Sequence, residues 1–289
     1  MDKINKILTE RWSIMRADFN AILLTVLPAL KAGNIEAVQK MLDNNHVTAY
    51  AMAPVQGMPN VCGKYELDDM NLPADSVAVI SLEGMLYSWE TFRLEERLQQ
   101  CYDNPRICGV VLWINGPGGM VTHVDLAARM IEESPKPIAT FVANTMASAH
   151  LWLGTAAQRI FLASPMCSVG SCGVMLTYYD EQPYFKQLGV DVRDIYPDSA
   201  DLKNQEYRAV RERNDEGPLK QNLTKLHEIF ARDLARHIGV AYDAEKEVFR
   251  GKLYTGDEAI REQLADQYGT LTDAVMWCYT QAVVARTRQ

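Results

Sequence analysis

The sequence predicts an α/β protein built around a parallel sheet. Two apolar runs, Val110-Val111-Leu112-Trp113-Ile114 and Ile138-Ala139-Thr140-Phe141-Val142, are short and do not alternate with polar residues. Strands buried on both faces read this way. Each run leads into a turn and then into helical spacing, so a β-turn-α unit occurs twice. The turns are Asn115-Gly116-Pro117-Gly118-Gly119 and Asn144-Thr145-Met146-Ala147-Ser148-Ala149-His150.

The remaining elements follow in chain order. Ile4, Ile7, Leu8, Ile14, Met15, Phe19, Ile22 and Leu23 recur every three or four residues, which predicts a helix from Asp2 to Leu30. Lys31 and Gly33 end it, and Asn34 opens a second helix over Ile35 to Leu42. Residues 1–50 therefore read as a helical extension, able to pack on the core or to mediate assembly. Ala51 to Pro73 is rich in proline and lacks a period, so residues 51–75 read as a connector. The main domain then spans 76–289. Val77 to Leu82 is a strand and Thr91 to Tyr102 a helix, ahead of the two central units. The helix after the first turn reads as Val121 to Met130. Further strands are expected at Arg159 to Leu162, Val174 to Thr177 and Val190 to Tyr196. Further helices are expected at Glu181 to Leu188, at Glu206 to Ile238 with a break near Gly217-Pro218, and at Asp257 to Gln263.

Composition narrows the class of function. The chain has 289 residues, 48% of them hydrophobic, with a net charge of −8. An acidic chain of this kind argues against nucleic-acid binding, which needs a basic face. The six cysteines form no Cys-x-x-Cys pair and several lie in apolar runs, so they read as buried thiols in a reducing compartment. No His, Cys and carboxylate cluster has metal-ligand spacing, and neither a metal nor a cofactor is expected. Ala21 to Leu30 is the only long apolar run. It falls well short of the about 20 residues a bilayer-spanning helix needs, so neither an anchor nor a signal peptide is expected.

The two turns carry the chemistry. Gly118 and Gly119 can take positive φ and admit a ligand close to the backbone. The helix behind them turns free N–H groups and its positive dipole end toward the same place. The turn can therefore hold an oxyanion, or it can simply be tight. Ser148 stands at a helix start after a buried strand, where a serine is ordinarily an N-cap. In the order strand, Gly-Gly turn, helix, strand, serine, it becomes a candidate nucleophile facing oxyanion donors at the carboxyl edge of a sheet.

Asn115-Gly116-Pro117-Gly118-Gly119, Ala147-Ser148-Ala149 and Gly170-Ser171-Cys172-Gly173-Val174 resemble the motifs of the signal peptide peptidase A (protease IV) family of serine peptidases. That family belongs to the Clp-protease/crotonase superfamily. The resemblance spans about Ser76 to Ala282. The chain departs from the family pattern at Gly116 (family Ser), Ala149-His150 (Gly-Gly), Cys172 (Ile) and Gln263 (Gly). His150 is the departure expected to crowd the pocket.

The resemblance implies a Clp/crotonase-like core of repeated β-β-α units wound as a spiral. It also implies a serine endopeptidase working through a Ser/Lys dyad and an acyl-enzyme. By this resemblance Ser148 is the nucleophile and Lys203, in Ser199-Ala200-Asp201-Leu202-Lys203, the general base. Gly118, Gly119 and Ala149 supply the oxyanion hole, and Ser171 orients the lysine. A lysine serves as a base at neutral pH only if burial lowers its amine from about 10.4 to about 7–8. Histidine alternatives are weaker. His150 is two residues from the serine, His227 and His237 lie on a polar helix and read as solvated, and His123 is a minor candidate.

The family further implies peptide or unfolded-protein substrates, no cofactor, and a homo-oligomer (ring, tetramer or octamer). The setting would be a bacterial cytoplasm or a phage-infected cell, with virion association open. Two roles stand side by side, maturation of phage capsid or scaffold proteins and degradation of signal-peptide remnants. The competing function is an inactive assembly or scaffold subunit of the same fold. A crotonase-type acyl-CoA enzyme would need neither Ser148 nor Lys203.

Overall fold

A computed structural model describes residues 11–14, 24–26, 28–29, 31–42, 47–55, 58–61 and 66–288. Its centre is a sheet whose strands run out of sequence order. From one edge the order is β10 (Gln267–Tyr268), β7 (Arg159–Leu162), β6 (Ile138–Ala147), β5 (Ile107–Met120), β4 (Ser76–Leu86), β2 (Val47–Val55) and β3 (Met58–Val61). The pairs from β4 through β5, β6 and β7 to β10 are parallel, while β2 pairs antiparallel with β4 and with β3. Three short strands lie off this path. β1 (Trp12–Ile14) pairs antiparallel with β5, and β8 (Ser168–Gly170) pairs parallel with β6 and antiparallel with β9 (Leu253–Thr255).

Both faces of the central strands are covered, which is why their sequences do not alternate. Ala78, Ile80, Val110, Leu112 and Ile114 face one layer of helices. This layer holds α2 (Ser88–Asp103), α3 (Val124–Glu132), α4 (Ala149–Thr155) and α7 (Gly217–His237). Trp152 of α4 stacks on Phe230 of α7 with ring centroids 4.6 Å apart. On the opposite face, Val77, Val79, Val111, Ala139 and Phe141 pack against Ala274, Val275 and Cys278 of α9 (Leu271–Thr287). A third apolar cluster joins Trp12 and Ile14 to Val26, Val38, Leu42, Tyr87 and Met120. Val38 and Leu42 belong to α1 (Ile35–Leu42), which has the bounds expected from its sequence.

Several expectations are corrected. The helix read over Asp2 to Leu30 lies largely outside the described residues, and Trp12–Ile14 within it is a strand. Trp12 and Ile14 alternate there into the third cluster, and non-local partners override the local period. The connector read at 51–75 contains most of β2 and all of β3, and two of its prolines, Pro54 and Pro59, are tolerated because β3 is the edge strand and β2 its neighbour. Val190 to Tyr196 forms no strand. Val190, Val192 and Ile195 are exposed, and among the described residues no strand pairs with them. At Val174 to Thr177 only an isolated bridge forms, between Met175 and Trp12.

The five described cysteines are buried and free. Burial pushes the Cys101 and Cys172 thiols up to about 12, which leaves them unreactive. Among the described residues no helix is long and apolar enough to cross a membrane, and no group of side chains could hold a metal.

Candidate active site

Ser148 is the single residue between the end of β6 and the start of α4, and three neighbours fix its backbone. Ala147 pairs with Gly170 of β8, the Ser148 N–H donates to Gly170 O at 2.9 Å, and Ser148 O accepts from Trp152 N–H at 3.0 Å. The result is φ 59° and ψ −117°, a conformation that a side-chain-bearing residue adopts only under constraint. Ser148 is 1% exposed and makes no cap hydrogen bond to its own helix. The ordinary N-cap reading therefore fails. The hydroxyl instead lies 3.5 Å from Gly173 O. A strained serine at a strand-to-helix turn, making no cap bond to its helix, resembles the arrangement by which α/β-hydrolase folds present a nucleophile.

The first turn lies beside it. Gly116 pairs with Met146 across β5 and β6, which brings the Gly-rich end of β5 alongside Ser148. Gly118 has φ 112°. Gly119 leaves no room for a side chain, since a Cβ there would meet Leu86 O at 1.8 Å. Ala149 is the first residue of α4, so its N–H has no intrahelical partner.

His150 enters this space. Its ring is 1% exposed, and Nδ1 accepts a hydrogen bond from the Gly118 N–H at 3.1 Å. The acceptor role puts the proton of the neutral ring on Nε2. A Cβ on Gly116 would meet this ring at 2.3 Å. Two departures from the family motif are thus one. The side chain missing at Gly116 is the space the His150 ring fills. Of the three expected oxyanion donors, Gly118 is already engaged by a side chain of the same chain.

The third motif is near as well. Gly170 and Ser171 both have positive φ, 136° and 60°, and the Ser171 N–H donates to Lys252 O at 2.8 Å. The structure thus gathers Ser148, Gly118, Gly119, Ala149, His150 and Ser171.

Within one chain it does not bring Lys203 into hydrogen-bond contact with Ser148. Lys203 is exposed and follows the 3-10 turn Asp198–Ala200, with its N–H on Ala200 O at 3.1 Å. The physical reason is the stretch that carries it. From about residue 178 to 208 the chain buries almost no side chain, so nothing there can desolvate an ammonium. Lys186, the rival lysine on the amphipathic helix Gln182–Gln187, is exposed too. His123 pairs with Glu95 at 3.5 Å and its ring lies 4.3 Å from Phe92. His237 is not solvated as its helix suggested. Its side chain is 1% exposed, and its Nδ1 lies 3.2 Å from the Thr155 hydroxyl.

Comparison with known proteins shows the family. The model of peptidase family S49 matches residues 131–285, more than half of the chain and all of the stretch from Ser148 to Lys203. The chain belongs to peptidase family S49. Among its relatives is a protein of Enterococcus faecium named as a signal peptide peptidase SppA, 24% identical over 275 residues, covering 92% of this chain and 79% of that protein. Capsid assembly protease C of Escherichia phage lambda is 28% identical over 183 residues, 62% of this chain and 40% of that protein. The S49 chain thus spans most of the first relative and well under half of the second. Among solved structures, a ClpP1 mutant from Listeria monocytogenes is similar with a TM-score of 0.44 and 13% identity, over 72% of this chain and 96% of that one.

Proposed function

We propose that this S49 peptidase is a serine endopeptidase with Ser148 as nucleophile and Lys203 as general base, the lysine being supplied by a second copy of the chain. The observation that carries the reading is the buried, strained and uncapped Ser148 beside a glycine turn. The exposed stretch around Lys203 supports the second half. A lysine that nothing covers in one chain gains the burial it needs where another copy covers it.

In the reaction, the Ser148 hydroxyl adds to the peptide carbonyl as Lys203 accepts its proton. The carbonyl oxygen becomes an oxyanion held by main-chain N–H groups of Gly119 and Ala149, where losing one donor typically costs about 3 kcal/mol of barrier. Lys203 then gives its proton to the leaving amine as the C–N bond breaks. Water, deprotonated by the same lysine, releases the acyl-enzyme and restores both groups. Ser171 positions the amine. No cofactor takes part. The substrates are extended peptides or unfolded proteins. The relatives' names point to two roles, signal-peptide cleavage and proteolysis in capsid assembly.

The test is complementation. Ser148→Ala and Lys203→Ala chains are each expected to lose peptide cleavage while keeping the fold, and mixing the two restores cleavage if the dyad forms across copies. Undiminished turnover by Lys203→Ala removes that residue from the mechanism. A second reading, an inactive assembly subunit, is favoured by one observation: His150 already holds the Gly118 N–H. Failure of a fluorophosphonate to label Ser148 would favour it.

A further inference from the structure

We infer that Trp12 to Ile14 is an intrasteric plug, a piece of the chain laid as an extended peptide in the channel beside Ser148, which keeps the peptidase closed until it is displaced. The inference rests on the reading of Ser148 as nucleophile.

The segment has main-chain partners on both edges. On one side it runs antiparallel to the end of β5, with Trp12 opposite Met120, Ser13 opposite Gly119 and Ile14 opposite Gly118. The Val121 N–H donates to Arg11 O at 3.2 Å on that same side. On the other side, the Trp12 N–H donates to Met175 O at 3.0 Å and Trp12 O accepts from the Met175 N–H at 2.7 Å. These two edges are also the walls around Ser148. Gly118 is bonded to His150, and Gly173, two residues before Met175, carries the carbonyl facing the Ser148 hydroxyl.

Direction and alternation complete the likeness to a bound peptide. The chain enters at Met120 and runs toward Gly118, so Ile14 is the end that approaches Ser148. Backbone groups of neighbouring strand residues point to opposite edges. Because those of Trp12 face Met175, those of Ser13 face Gly119, whose N–H the mechanism reserves for the oxyanion. A peptide adding itself as a strand gains affinity from such bonds and specificity from pockets for alternate side chains. Trp12 and Ile14 fill such pockets. They are 1% and 5% exposed, and Trp12 meets Tyr87 edge-on at 6.3 Å. Much of the pocket cover, Val26, Val38 and Leu42, comes from the same N-terminal region. Among the described residues the ladder is three residues long, so a substrate able to pair with the same edges can replace it.

The test uses the full chain with Trp12→Ala and Ile14→Ala together. In a Ser148→Ala background, a fluorescent peptide copying Glu10 to Arg16 is added and its anisotropy followed. The opened chain is expected to bind at least about tenfold more tightly than the chain with the intact segment, because occupancy by the plug divides the intrinsic dissociation constant by the open fraction and so weakens apparent binding. Equal binding overturns the proposal. With Ser148 present, a fluorophosphonate should label the opened chain faster by a similar factor. Equal labelling rates overturn the plug and leave Ser148 as nucleophile. Tighter peptide binding with no labelling of either chain upholds the plug's place in the channel and refutes the nucleophile. Ser13→Pro, which removes one main-chain donor and keeps Trp12 and Ile14, must act in the same direction should the double variant misfold. Mass spectrometry showing the intact protein cut just after Ile14 would make the segment a substrate and end the proposal.

Discussion

If Ser148 is held in a strained conformation for the sake of its hydroxyl, removing the Cβ there should release that strain. The informative comparison is Ser148→Gly against Ser148→Ala, because both lack the hydroxyl and differ only in one methyl group. At an ordinary buried site, going from Ala to Gly loses about 0.8 kcal/mol of burial and about 0.5–1 kcal/mol of backbone entropy. Ala147, 0% exposed in β6, supplies that control one residue away, so Ala147→Gly should cost about 1.5 kcal/mol. At φ 59° and ψ −117° the side chain at 148 carries a penalty of about 1–3 kcal/mol that glycine escapes. The Ala-to-Gly step at 148 should therefore be about 1–3 kcal/mol less destabilising than at 147, which makes it close to neutral or stabilising. Equilibrium urea unfolding of Ser148→Ala, Ser148→Gly and Ala147→Gly measures all three. The same cost at both positions would refute the strain argument, and with it the reason for preferring nucleophile to N-cap.

Three further outcomes are expected. Gly119→Ala should abolish activity and destabilise the protein by about 1–3 kcal/mol, because the added carbon meets Leu86 O at 1.8 Å, and activity assays with thermal melts check both. Gln263→Gly should stabilise the chain by about 0.5–1 kcal/mol in urea unfolding. Gln263 sits at φ 63° just past the helix Gly256–Arg261, with the Leu264 N–H on Ala259 O and its own N–H on Ile260 O, a C-terminal motif that favours glycine. Burial lowers the His227 and His237 imidazoles below their ordinary 6.5. The unfolded chain therefore binds more protons below that pH, so stability is full above about 6.5 and is lost as pH falls through the folded values. Melts between pH 7.5 and 5 should show that decline, and His237→Gln should flatten it.

The sequence made legible what local pattern determines. Both central strands, the helix Ile35–Leu42 and the strand Arg159–Leu162 could be read because burial on fixed faces leaves a period or an apolar run. The glycine turn and Ser148 could be read from their order, and the need for glycine where the chain has Gln263 is explained by its positive φ. What could not be read depends on partners far along the chain. Ile14 fits the helical period of its neighbours, and only the pairing of Trp12–Ile14 with the end of β5 and with Met175 makes it part of a strand. Val190 to Ile195 has strand-like residues, but no strand pairs with it among the described residues. The fit of His150 into the space at Gly116 joins two positions that look like independent departures until the fold brings them together.

The most direct measurement is to treat the full chain with a fluorophosphonate and map the adduct by intact mass and peptide sequencing, alongside Ser148→Ala. The account predicts one adduct, on Ser148, absent from the variant, and peptide cleavage that disappears with it. An adduct on another residue, or cleavage that persists in Ser148→Ala, contradicts it.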